Sequence, residues 1–241
     1  MGTSNRLIKR WLYPFLALII GIAVGYQLFP TKQDLIYKDW KDQLENAASE
    51  SYKVNTSYVR DEKIYSESSG IWDPEMSNYK VVTPVSDDSV FTFSLYLTKE
   101  KFYVHDGLQW KYGELPHRIS HEFKPLDQPF EWVLELLQHA DSISRQKTND
   151  GFIYTANFKH FDELDFRGLY LEEQGNTYLT MVVSKNGISS IAFIAEPIRP
   201  KEVNILTSYP ETLSYEIKLS LNSTKQKPTL PKESVNAEEI Q

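Results

Sequence analysis

Apolar positions change their spacing along this chain, and each change marks a different element. Trp11 to Phe29, WLYPFLALIIGIAVGYQLF, is an unbroken apolar stretch without a charge. At about 1.5 Å per residue, a helix of that length covers roughly 28 Å, close to the hydrocarbon thickness of a bilayer. Lipid offers backbone groups no hydrogen-bond partner, so the stretch predicts one transmembrane helix over 11–29. From Thr31 to Ser51 the spacing becomes three and four, with Ile36, Trp40, Leu44 and Ala47 or Ala48 on one stripe, which predicts an amphipathic helix.

From Tyr52 the period is two. Segments 52–60, 63–72, 79–85, 90–97, 101–105 and 108–112 are short, β-branched and aromatic, and read as strands. Turn chemistry separates them: Arg60-Asp61-Glu62, Asp73-Pro74, Ser86-Asp87-Asp88 and Asp106-Gly107. In VFTFSLYLT, Phe91, Phe93, Leu95 and Leu97 share one face, which predicts burial on that side. Residues 111–128 look irregular, with Pro116 and Pro125. A helix is expected from Pro129, with Phe130, Val133, Leu134, Leu137 and Ala140 as its stripe and Trp132 and Leu136 widening it. Strands resume as FIYTANF, GLYLEEQ, TYLTMVVS and GISSIAFIAE, with KHFDELDF as a short helical or looped linker. Gly175-Asn176 and Asn186-Gly187 are the expected turns, and LSYEIKLSL (213–221) is a last alternating strand.

The fold class is therefore α+β: a mostly antiparallel sheet, long enough to curl, with helices on its concave face. The expected organisation is a short N-terminus (1–10), the anchor (11–29), one β-domain (31–221) and a polar, disordered tail (222–241).

Charge sets the orientation. Arg6, Lys9 and Arg10 precede the anchor and no acidic residue appears before Asp34, so the N-terminus is expected in the cytoplasm and the domain outside it. A cleaved signal peptide would have a shorter apolar core and a small-x-small site; Ala23-Val24-Gly25 is the nearest approach. The chain has no cysteine, which removes thioether lipidation, disulfides and thiolate chemistry. The net charge is −7 overall, and an acidic exterior argues against nucleic acid as a partner.

Candidate chemistry is sparse. His117 and His121 are spaced i, i+4, but no third ligand is visible, so no metal is expected. Ser144 and Lys147 match S-x-x-K without the partner motifs of serine–lysine enzymes. No phosphate loop or dinucleotide motif occurs, so neither a catalytic residue nor a cofactor is assigned. The aromatic content, 13%, is more telling. Wide apolar faces on a curled sheet can enclose a cavity, and the residues expected to line one are Phe91, Phe93, Leu95, Trp110, Trp132 and Leu136. The competing expectation for the same residues is a solid aromatic core.

The hairpin Tyr103-Val104-His105-Asp106-Gly107-Leu108-Gln109-Trp110, the segment Phe123-Lys124-Pro125-Leu126 before FEWVLELLQHA, and the strands around Asn186-Gly187 occur in a familiar order. Over residues 34 to 221 the chain resembles the LolA/LppX-like superfamily of lipoprotein carriers, which includes RseB-like sensors. The resemblance implies a half-open β-barrel closed by helices, and binding of an acyl chain, a lipid or a lipidated protein without catalysis. A membrane helix departs from the soluble or cysteine-anchored carriers and favours a stationary receptor or sensor. The alternative within the same fold is an envelope protein-interaction or regulatory subunit with a filled core. A hydrolase would need a polar pocket that the sequence does not display.

Overall fold

Two runs of alternating strands build one sheet, and the order in which they join it places everything else. The structure is a computed structural model that describes residues 30–86, 88–117, 119–199, 209–224 and 227–240, with 14–16, 18 and 21 of the N-terminal segment. The first run is Tyr52–Arg60 (β1), Lys63–Trp72 (β2), Met76–Ser86 (β3), Ser89–Thr98 (β4), Lys101–His105 (β5) and Trp110–Glu114 (β6). The second is Ser142–Lys147 (β7), Gly151–Phe166 (β8), Leu169–Ser184 (β9), Gly187–Ala195 (β10) and Leu213–Leu221 (β11). Each run is an antiparallel meander, and they meet where β1 pairs with β11.

That join has a consequence for the connection between the runs. Strands β6 and β7 lie towards opposite margins of the sheet, so the segment between them has to cross a face. It does so as two helices, Ser120–Asp127 (α2) and Pro129–Leu137 (α3). Helix α3 is buried at Phe130, Trp132, Val133, Leu136 and Leu137, more than one stripe of a surface helix would supply. A third helix, Lys32–Ala47 (α1), lies against α3, β7 and β10 and buries Ile36, Trp40, Leu44 and Ala47. Its start is set by Thr31 and Asp34: the Asp34 amide donates to Thr31 Oγ1 at 3.2 Å, and the Thr31 amide donates to Asp34 Oδ2 at 2.7 Å. The result is a curved, open, mostly antiparallel sheet with its helices on the concave side. Every core residue described lies between Ile36 and Ile240, so a chain beginning at Thr31 carries every buried residue among those described.

Strands β1 and β2 keep the bounds their alternation predicts, and β3 and β4 run slightly beyond theirs. Four expectations differ. Residues 120–127 are helical despite Pro125, and the i, i+4 spacing of His117 and His121 does not fall on one helix, because α2 begins at Ser120. KHFDELDF is neither helix nor loop but the second half of β8. Its alternation is hidden by register shifts on either side of His160, where added residues move Phe158 and Phe161 out of a simple two-residue phase. Gly175-Asn176 is no turn, since β9 runs through it; a Cβ on Gly175 would stand 3.2 Å from the Glu196 carbonyl oxygen, whose hydrogen bond from the Gly175 amide (2.7 Å) requires that approach. The tail, expected to be disordered, folds back at 227–240: a 3₁₀ turn at Lys232–Asn236 leads to Glu238–Glu239 (β12), which pairs in parallel with β6.

The anchor expected over 11–29 lies outside the described residues apart from positions 14–16, 18 and 21. Among the described residues, no helix is long and apolar enough to cross a membrane.

Candidate concave-face site

Pairing across the sheet defines which side chains share the concave face. Thr56 pairs with Ser68, Ser68 with Val81, and Val81 with Phe93, so these four form one row across β1–β4. Tyr79 and Leu95 stand in the adjacent row, and Thr83 and Phe91 in the row on the other side. Phe91, Phe93 and Leu95 therefore share a face, as the alternation predicts. Their surroundings differ greatly. Leu95 is fully buried, Phe93 is half-buried, and Phe91 is 47% exposed with its ring 5.7 Å from that of Phe93. The apolar row of the core thus runs out from under the helices towards the β3–β4 turn.

Trp132 and Leu136 sit in a different region. Trp132 stacks on Phe166 at 5.7 Å and meets the edges of Phe193 (6.2 Å) and Tyr215 (5.6 Å). Leu136 has no exposed surface. These two are core residues, and Phe158, Phe161 and Phe193 continue the same cluster. Trp110 is not with the others at all. It pairs across the hairpin with His105, whose ring it stacks on at 4.7 Å, and it contacts Tyr96 at 5.6 Å. All three lie on the convex side, opposite Leu95 and Phe102. The six expected lining residues therefore do not converge on one cavity.

The base of the concave face is held shut by ring donors. Trp72 Nε1 donates to the Asp127 carbonyl and Tyr79 Oη to the Leu126 carbonyl, each at 2.8 Å. These bonds satisfy carbonyls at the C-terminal end of α2 and fix the α2–α3 junction to β2 and β3. Phe130 fills the space beside them, edge-on to Trp72 at 4.9 Å and to Tyr52 at 5.6 Å. Burial pushes the Asp127 carboxyl up to about 6, with the charge of Glu131 adding to the effect. The folded chain keeps this proton until about pH 6, whereas the unfolded chain releases it near 3.8. Stability therefore falls as pH rises through that window. Asp127→Asn should stabilise the domain by about 1–2 kcal/mol at pH 7.5, allowing for the partial exposure of the group, with no gain at pH 3.5. Urea unfolding at the two pH values checks this.

No protein-family model matches the chain, and no curated protein does. Among solved structures, that of LprF from Mycobacterium bovis is similar over 81% of this chain and 97% of that one, at 8% identity and a TM-score of 0.39.

The opposite end of the concave face holds residues that the sequence reading passed over. Two tight hairpin turns meet there. Asp61 and Glu62 take φ +46 and +64 between β1 and β2, and Arg167 and Gly168 take +51 and +73 between β8 and β9. The β8–β9 tip folds over Tyr58 and Tyr215: Phe166 meets them edge-on at 5.7 and 5.9 Å. Arg60 Nη2 donates to the Arg167 carbonyl at 3.1 Å, and Arg60 Nε to Tyr58 Oη at 2.6 Å. Burial raises both tyrosine hydroxyls, Tyr215 to about 12, against the opposing pull of the neighbouring guanidinium groups. Arg60 had registered in sequence only as part of a turn. Nothing in a one-dimensional pattern links it to Arg167.

Proposed function

We propose that this chain is a membrane-tethered, extracytoplasmic, non-catalytic domain that binds an acyl chain, borne by a lipid or a lipidated protein, on the concave face of β3 and β4. The observation that carries this reading is the apolar row Tyr79, Val81, Leu95, Phe93 and Phe91, which passes from fully buried to half-open along one face. An acyl chain laid on Phe91 and Phe93 would gain about 0.8 kcal/mol for each methylene removed from water. The resemblance to LolA/LppX-like carriers supports the same ligand class. Tethering and location rest on the uncharged stretch at 11–29 and the cations before it.

The test is native mass spectrometry of the purified 31–241 fragment. Retained or added lipid should appear as a one-to-one adduct. A fragment that neither retains nor takes up lipid overturns the reading.

A second reading is favoured by one observation: Trp132, Phe166, Phe193 and Tyr215 pack into one aromatic cluster. With a filled core, the domain would serve as an interaction or regulatory subunit for another envelope protein. Crosslinking in intact cells separates the two. A stoichiometric protein partner with no bound lipid favours the second.

A further inference from the structure

We infer that Arg60 and Arg167 form an anion clamp that receives the negatively charged head, a phosphate or a carboxylate, of a single-chain amphiphile; this rests on the acyl-binding reading above.

The two guanidinium groups flank one ring. Arg60 lies 5.0 Å from the centroid of Tyr58 and Arg167 lies 4.6 Å from it. Two like charges are thereby held within about 10 Å of each other, the Debye length at 0.1 M salt. Stacking on Tyr65 (4.2 Å) and Tyr215 (5.8 Å) holds the groups in place without neutralising them.

Neither arginine has a carboxylate partner among the described residues, in a chain with 33 acidic residues. Several nearby carboxylates are engaged elsewhere, and Glu122 Oε1 stands against Gly168. Asp61 accepts the amides of Glu211 and Thr212 at 2.8 and 3.0 Å, Asp165 accepts that of Gly168 at 3.1 Å, and Glu135 pairs with Lys124. The Nε–H of Arg167 is buried with no acceptor. A buried donor left unmade costs free energy, and an anion supplies the acceptor and the missing counter-charge together.

Position completes the argument. The clamp stands at β1, and the open aromatic pair Phe91 and Phe93 stands three strands away across the same face. Three inter-strand steps span about 14 Å. The side chains between them, Thr56, Ser66, Ser68 and Val81, are small and buried. A head group at one end and an apolar tail at the other would fit that distance. A guanidinium also matches the planar or tetrahedral oxygens of such heads better than an ammonium does.

The test uses the 31–241 fragment, titrated calorimetrically with three probes: dodecyl phosphate, dodecyl maltoside below its micellar concentration, and inorganic phosphate. Dodecyl phosphate should bind tightest. Arg167→Gln and Arg60→Gln should each weaken it roughly tenfold or more, while dodecyl maltoside is unaffected. Arg167→Lys should recover part of the loss, and raising the salt should reduce binding of the phosphate amphiphile alone. Equal affinity for the charged and uncharged amphiphiles, unchanged in the glutamine variants, overturns the clamp and leaves the acyl-binding reading intact. Failure of both amphiphiles overturns the acyl-binding reading and the clamp with it. Inorganic phosphate binding as tightly as dodecyl phosphate assigns a free-anion site and overturns the head-group role. Circular dichroism melts of each variant separate loss of binding from loss of fold.

Discussion

Trp132→Ala should destabilise the 31–241 domain by about 3–5 kcal/mol, measured by urea unfolding. The indole is 3% exposed and is covered by three aromatic rings from β8, β10 and β11 as well as by its own helix. Truncation removes its transfer free energy and leaves a void that Phe166, Phe193 and Tyr215 cannot close without moving the strands that carry them. The mid-point should fall while the denaturant slope stays unchanged. A loss below 1 kcal/mol would mean that α3 rests loosely on the sheet.

Phe91→Glu should do the reverse. With the ring about half in water, its removal should alter stability by about 0.5 kcal/mol or less. Binding of an acyl probe should nevertheless fall at least tenfold, because a carboxylate on that row must be desolvated by any chain laid over it. Fluorescence titration with a long-chain acyl probe reads the second effect and thermal melting the first. Unchanged binding in Phe91→Glu and Phe93→Glu alike would remove β4 from the site.

These two variants also show where sequence reasoning succeeds and stops. Alternation placed Phe91, Phe93 and Leu95 on one face because β4 stays in register with β3 from Val90 to Thr98 and keeps strict period two. It could not say that one end of the strand would be roofed and the other left open, since the roof arrives from residues 120–137. On β6 the same rule gave the wrong side. In Trp110–Glu114 the aromatic positions face outward, and the core side carries Lys111 and Gly113. The reason is Phe102: a Cβ on Gly113 would come within 2.5 Å of its ring, so the large side chain from β5 occupies the space that β6 leaves empty. Hydrophobicity counted strand by strand reverses when one neighbour fills both places. The arginine pair was invisible for a different reason. Residues 60 and 167 meet only because two hairpin tips converge, which is decided by how the two meanders join.

The return of the chain onto β6 has an outcome for handling as well as for shape. Among the described residues Glu238 and Glu239 pair there, with Ile240 adding one more bond from its amide to the Tyr112 carbonyl at 2.8 Å. A sleeve this narrow is easily stripped off. Once it is gone, the backbone of Trp110–Glu114 stands bare along one side, flanked by a tryptophan and a tyrosine. Cutting the chain near residue 227 would leave that margin open to a second molecule, and the expected result is strand-to-strand association.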